Sequence, residues 1–231
     1  MYLLLDIGNS RSKGMLASRT GQMTPVELSA ASFDRTAIEA VYYAAVAGQD
    51  KVQALKKQLQ LHDKPWRQIE SEAARFGVQS CYSQPHLLGV DRWLAMLGSH
   101  WLMPKQDLLV VDAGTAVTLD WLSSDAVHQG GWILPGLKLQ QQSVVQKTAK
   151  VFNADTHQAR LQPGGDTVAC LQNGCLAAVV GAISQAWQLQ PMQQVLLTGG
   201  DARLLLPYLK NYPVQLEPNL LFYGLSRFID S

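Results

Sequence analysis

Along the chain, short apolar runs alternate with polar breaks marked by glycine, and the runs fall into two series of similar layout. The first opens with Leu3-Leu4-Leu5 and stops at Asp6-Ile7-Gly8-Asn9, which predicts a buried strand delivering a carboxylate and a turn to one edge of a sheet. Residues 12–18 predict a second strand, folded back through the Gly8-Asn9 turn, and a third lies near Val26 and Leu28. Residues 36–40 are helical in character. Val41-Tyr42-Tyr43-Ala44-Ala45-Val46 reads as a buried strand stopped by Gly48. Asp50 then caps a helix over residues 51–61, with Val52, Leu55 and Leu59 on one face. Residues 66–85 have no clear period and predict an exposed or mobile connection. Helical spacing returns with Trp93, Leu94, Leu97 and Trp101, ahead of which Asp91 stands as an N-cap or first-turn acid.

The second series follows Pro104-Lys105-Gln106-Asp107. Leu108-Leu109-Val110-Val111-Asp112-Ala113-Gly114-Thr115 repeats the apolar run and the Asp-x-Gly ending, 112 − 6 = 106 positions after the first. Strands over 115–122 and 126–132 come next, then a break at Pro135-Gly136, a helix over 137–149 and a long helix over 167–189 closed by Pro191. Val195-Leu196-Leu197-Thr198 runs into Gly199-Gly200-Asp201, a third glycine-rich strand end, and residues 220–229 read as a short helix. A repeat spaced by nearly half of 231 residues predicts two similar domains, 1–105 and 106–231.

Composition narrows the function classes. With 47% hydrophobic and 16% charged residues the chain is a globular protein with few surface charges, so some surface is expected to be buried against another subunit. The small residues around Ala177–Ala182 are either that contact or ordinary core. A net charge of +1 argues against nucleic acid as a partner. Lys51, Lys56, Lys57 and Lys64, the densest basic cluster, sit among Gln and Leu and read as a solvated helix face. Cys81, Cys170 and Cys175 form no CxxC pair, and Asp6 interrupts the N-terminal apolar run, so a reducing cytoplasm is expected. The later apolar stretch 176–183 falls short of the roughly 20 residues a bilayer needs, and no membrane role is expected. His62, His86, His100, His128 and His157 show no metal-ligand spacing.

The strand ends carry the candidate chemistry. Gly8 lets the backbone take a positive φ and approach a ligand, while Asn9, Ser10 and Ser12 offer small polar groups and Lys13 a charge, an inventory suited to a polyphosphate. Asp6 would repel phosphate oxygens directly; its expected task is to hold a hydrated Mg²⁺ that bridges them. The three glycine-rich ends are expected to converge on one cleft between the domains, the first pair at the phosphates and Thr198-Gly199-Gly200-Asp201 leaving room for a nucleoside. Neither a Walker lysine motif nor GxGxxG occurs, which excludes the P-loop and dinucleotide readings and leaves an actin-like kinase architecture.

The set Asp6-x-Gly8-Asn9 with Arg11 and Lys13, Gly89-x-Asp91-Arg92, Asp112-x-Gly114-Thr115 with Thr118, Gly130-Gly131-x-Ile133-x-Pro135-Gly136 and Thr198-Gly199-Gly200 resembles the type III pantothenate kinase family, in order and in spacing. The resemblance covers essentially the whole chain. It implies an α/β fold of two ribonuclease-H-like, actin-like ATPase domains with a cleft between them, a homodimer, and transfer of the ATP γ-phosphoryl group to pantothenate, the first committed step of coenzyme A synthesis. It also implies Mg²⁺ and a monovalent cation, K⁺ or NH₄⁺.

Carried over residue by residue, ATP binding falls on Asp6, Ile7, Gly8, Asn9, Ser10, Arg11, Ser12 and Lys13, with Thr115 as a further contact. Asp112 matches the monovalent-cation position. Pantothenate contacts fall on Tyr82, Gly89, Val90, Asp91, Arg92 and Thr167, with Asp91 as proton acceptor; Tyr82 and Thr167 rest on their offset from neighbouring motifs. Ser10 departs from the family's usual Thr but keeps the hydroxyl. Arg92 either pairs with the pantothenate carboxylate or hydrogen-bonds its amide oxygens. Two rival classes are weaker. A different kinase or phosphatase of this architecture would lack Gly89-Val90-Asp91-Arg92, and a non-enzymatic expression factor would gain from a basic surface that this chain lacks.

Overall fold

The computed structural model describes residues 1–148, 151–153 and 158–229. Two compact units emerge: residues 1–105, 125–128 and those from Asn219 on form the first, and residues 106–124 and 129–218 form the second.

The first unit begins with β1 (Tyr2–Ile7), β2 (Ser12–Ala17), β3 (Met23–Val26) and β4 (Ala40–Ala45), continues with α1 (Gln49–Leu59), β5 (Trp66–Gln68), β6 (Ala74–Arg75) and β7 (Val78–Gln79), and reaches α2 (Val90–Leu102). Its sheet has the order β3-β2-β1-β4-β5, with β1 antiparallel to β2 and parallel to β4. β1 is central and covered on both faces, which explains its unbroken apolar run. Leu3, Leu5 and Ile7 point with Val41 and Tyr43 into a core closed by Val52, Leu55 and Leu59 of α1. On the opposite face Leu4 and Tyr42 are buried where α2 and the helix Leu220–Ser226 pack.

The second unit repeats this plan with β8 (Leu108–Ala113), β9 (Ala116–Leu122), β10 (His128–Pro135), α3 (Leu137–Lys147), α4 (Thr167–Leu189), β11 (Gln194–Thr198), α5 (Ala202–Leu205) and β12 (Val214–Leu216). The sheet order β10-β9-β8-β11-β12 is the same as in the first unit, again with one antiparallel and one parallel neighbour for the central strand. Leu109, Val111 and Ala113 pack against Leu171, Cys175, Leu176, Val179 and Ile183 of α4. By length and composition alone α4, longer than the apolar stretch 176–183, could cross a membrane, and half of its apolar window is buried in the structure. α6 (Leu220–Ser226) belongs to the first unit, where it lies against α2. A Cβ at Gly98 would overlap the Leu220 carbonyl, and one at Gly224 the Leu94 carbonyl, so the two helices meet backbone to backbone.

Several elements differ from the sequence reading. Residues 36–40 are not a helix: Arg35–Ala37 form one 3-10 turn capped by Asp34, and Ala40 already pairs in β4. Gly48, not Asp50, caps α1, and Asp50 lies in its first turn. The stretch 66–85 holds β5, which completes the first sheet, and the β6-β7 hairpin. The predicted end of the third helix, Ala149, lies outside the described residues, as does His157. The tail helix ends at Ser226, short of the predicted 229.

Candidate functional site

β1 and β8 deliver their acids at equivalent places. Asp6 and Asp112 are each the fifth of six strand residues, and each strand has the same sequence of buried and part-exposed positions. Asp6 pairs in register with Lys13 of β2, and Asp112 with Thr118 of β9 and Thr198 of β11.

In the first unit the Asp6 carboxyl is pushed up to about 6, chiefly by burial. The Lys13 ammonium opposes the shift, the Asp91 carboxylate adds to it, and the Lys51 ammonium again opposes it. Lys13, Lys51 and Asp91 are thus each within electrostatic reach of Asp6, although their sequence positions span most of the unit. The turn after Asp6 closes with the Gly8 N–H donating to the Arg11 carbonyl at 3.1 Å. Gly8 is needed for space, not for its φ: it is not among the positive-φ glycines, and a Cβ there would sit 2.9 Å from the Arg11 carbonyl oxygen. Asn9, Ser10, Arg11 and Lys13 are exposed around the turn and Ser12 is half-buried. The Ile7 side chain is in the core.

Asp91 is the first-turn acid of α2, whose N-cap is Gly89. The helix starts at Val90, ahead of its apolar periodicity, because Val90 and Arg92 are buried as well. Asp91 Oδ1 accepts the Arg92 backbone N–H at 2.8 Å, which turns the carboxylate back over the helix start; a Cβ at Gly89 would be 2.6 Å from it. The Arg92 side chain, 5% exposed, donates through Nη1 to the Tyr82 hydroxyl at 3.0 Å. Tyr82 stacks on His128 with ring centroids 6.0 Å apart and planes 12° from parallel, and Cys81 Sγ lies 3.4 Å from His128 Nδ1. Tyr82, Gly89, Val90, Asp91 and Arg92 are thereby gathered at one helix end. His128, fully buried, is a member that sequence reasoning passed over. Its signal was weak, since a single His without ligand spacing looks like any core residue.

In the second unit Gly199 has φ +97°, a conformation that favours glycine, and a Cβ there would overlap the Ala113 carbonyl and reach within 2.5 Å of Asp112 Oδ1. The Asp201 N–H donates to the Ala113 carbonyl and the Gly136 N–H to the Thr115 carbonyl, both at 2.9 Å. The ends of β8, β10 and β11 are therefore tied together next to Asp112. Thr115 is exposed at this end. Beyond Gly200 a cavity of about 450 Å³ is bounded by Leu137, Gln141, Gln172, Asp201 and Leu204, and burial raises the Asp201 carboxyl. Thr167 is the first residue of α4, exposed, beside the N-cap Asp166, whose side chain accepts the Ala169 N–H at 2.8 Å. Among the described residues no group of three or more His, Cys, Asp or Glu is placed to hold a metal ion.

Two units built on five-stranded mixed sheets of the same order, each ending its central strand in Asp-x-Gly, define an actin-like ATPase fold. Solved structures agree on that fold: a conserved Baf-family protein from Campylobacter jejuni matches with TM-score 0.61 and 23% identity over 99% of this chain and 97% of its own. The activator of the 2-hydroxyisocaproyl-CoA dehydratase from Clostridium difficile, with bound ADPNP, matches with TM-score 0.54 and 11% identity over 97% and 91%. The type III pantothenate kinase family model matches residues 2–189. Relatives described as type III pantothenate kinase include one from Colwellia psychrerythraea, 36% identical over 99% of this chain and all of its own length. Another, from Pseudoalteromonas translucida, is 35% identical over 98% and 95%. The chain belongs to the type III pantothenate kinase family.

Proposed function

We propose that the chain transfers the γ-phosphoryl group of Mg·ATP to pantothenate, the activity its family name states, with Asp91 as the proton acceptor. The observation that carries this reading is the placement of Asp91 within electrostatic reach of Asp6 in one unit, next to the Arg92–Tyr82 pair. Phosphoryl transfer asks a protein mainly to position groups and neutralise charge. One carboxylate near the attacking hydroxyl and one near the metal is the matching division of labour. Asp6 would hold the hydrated Mg²⁺ that arrives with ATP, which supplies charge neutralisation at the phosphates, and the turn 7–13 would hold the phosphates themselves. Asp91 takes the proton of the pantothenate primary hydroxyl late in the reaction, when alkoxide character has developed. Arg92, fixed by Tyr82, presents its donor fork to pantothenate.

The remaining assignments, on Asp112, Thr115 and Thr167, follow from the family. The Asp112 carboxylate, an oxygen ligand of the kind a hard cation takes, would be the residue that holds K⁺ or NH₄⁺. The bound cation would offset repulsion between that carboxylate and the phosphates. Thr115 contacts ATP, the cavity beside Asp201 has room for a nucleoside, and Thr167 contacts pantothenate. We place the chain in the cytoplasm as a homodimer joined through α4.

Incubation with ATP, Mg²⁺ and labelled pantothenate in K⁺, NH₄⁺ and Na⁺ buffers tests the scheme. Labelled phosphopantothenate is expected in the first two and little in the third; equal rates in all three remove the cation. Asp91→Asn is expected to lower kcat about 10²- to 10⁴-fold with an unchanged melting temperature. A near-normal kcat with a lowered melting temperature would leave Asp91 only a helix-end role.

A further inference from the structure

Lys51 stands in the first turn of α1, where the helix dipole disfavours a cation. Its position is explained by what its ammonium reaches. Nζ donates to the Gly8 carbonyl at 2.5 Å and to the Asn9 carbonyl at 3.0 Å, two successive acceptors in the turn after Asp6. The rest of that turn is held independently: the Ile7 carbonyl accepts from the Val46 and Ala47 N–H groups, and the Gly8 N–H donates to the Arg11 carbonyl.

In a trans peptide the C=O and the following N–H point in opposite directions. With the Gly8 and Asn9 carbonyls both drawn to Lys51, the N–H groups of Asn9 and Ser10 face the other way. Successive backbone N–H groups turned to one side form a concavity that binds anions.

We propose that Lys51 is a positioning residue for ATP: its ammonium locks two peptide planes so that the Asn9 and Ser10 N–H groups are presented to the phosphates. The inference rests on the assignment of residues 6–13 to ATP. It gives a role to a lysine whose neighbours Lys56 and Lys57 serve as ordinary surface charges, Lys56 lying 5.1 Å over the Trp66 ring.

Steady-state kinetics on the full chain separate the possibilities, with melting temperatures recorded for every variant. Lys51→Met is expected to raise KM for ATP about tenfold, the size of a lost charge-assisted hydrogen bond, with KM for pantothenate within about twofold of wild type. Lys51→Arg, which can still donate to both carbonyls, is expected to recover most of the loss, and Lys56→Met to behave as wild type. Should Lys51→Met not fold, Lys51→Gln takes its place with the same expected rise. An unchanged KM for ATP in whichever variant folds, or an equal rise for both substrates, overturns the inference. Failure of the underlying assignment is read separately: Asp6→Asn would then keep wild-type kcat and KM for ATP.

Discussion

Asp6 sits where burial works against its charge and only Lys13 and Lys51 work for it. An acid whose folded pKa lies above its unfolded value favours folding while protonated. Its contribution is therefore full below the ordinary 3.8 and is lost as pH rises through about 6. Asp6→Asn removes this dependence. Denaturant unfolding at pH 8 is expected to find the variant more stable by on the order of 1–3 kcal/mol, with the gain shrinking between pH 6 and pH 4, while activity is lost. A gain that does not vary with pH would mean the carboxyl is not strained by burial. At this scale the sequence made the residue types legible but not their geometry. Asp-x-Gly announced a turn, yet Gly8 is required for close approach to Arg11 and not for a positive φ. Lys51 read as a solvated charge because its two acceptors are carbonyls 43 and 42 positions earlier in the chain, and backbone acceptors leave no mark in composition.

α2 shows how an element is held in place. It carries Gly89, Asp91 and Arg92 at its start and meets α6 through Gly98 and Gly224, whose missing side chains let the backbones touch. Gly98→Ala is expected to destabilise by about 1–3 kcal/mol, since neither the Leu220 carbonyl nor the helix can move aside freely. Each kcal/mol lowers the melting temperature by about 2–4 °C in a chain of this size. A variant as stable as wild type in a calorimeter would contradict the close contact. Long apolar elements such as β1, β8 and α4 were legible because their burial is written in consecutive residues. β5, three residues long and only partly buried, was not; it owes its existence to pairing with β4, which local pattern does not encode.

Over the whole molecule, the 106-residue repeat announced the matching sheets, and their common strand order explains why the two acids occupy equivalent places. What the repeat did not announce is the return of the tail to the first unit. On the exposed side of α4 lie Gly174, Ala177, Ala178 and Gly181, small enough for another helix to approach closely. If this stripe joins two copies, sedimentation should give a dimer for wild type and a monomer for Gly181→Glu; a monomeric wild type ends that proposal.

The position of α6 orders events during synthesis. All of residues 106–218 leave the ribosome before it does, so the second unit can assemble while α2 still lacks the partner that buries Leu94 and Gly98. The nascent chain must therefore keep an apolar helix without its cover until α6 has been made, and the helix end bearing Asp91 gains that support only after residues 106–218 have left the ribosome.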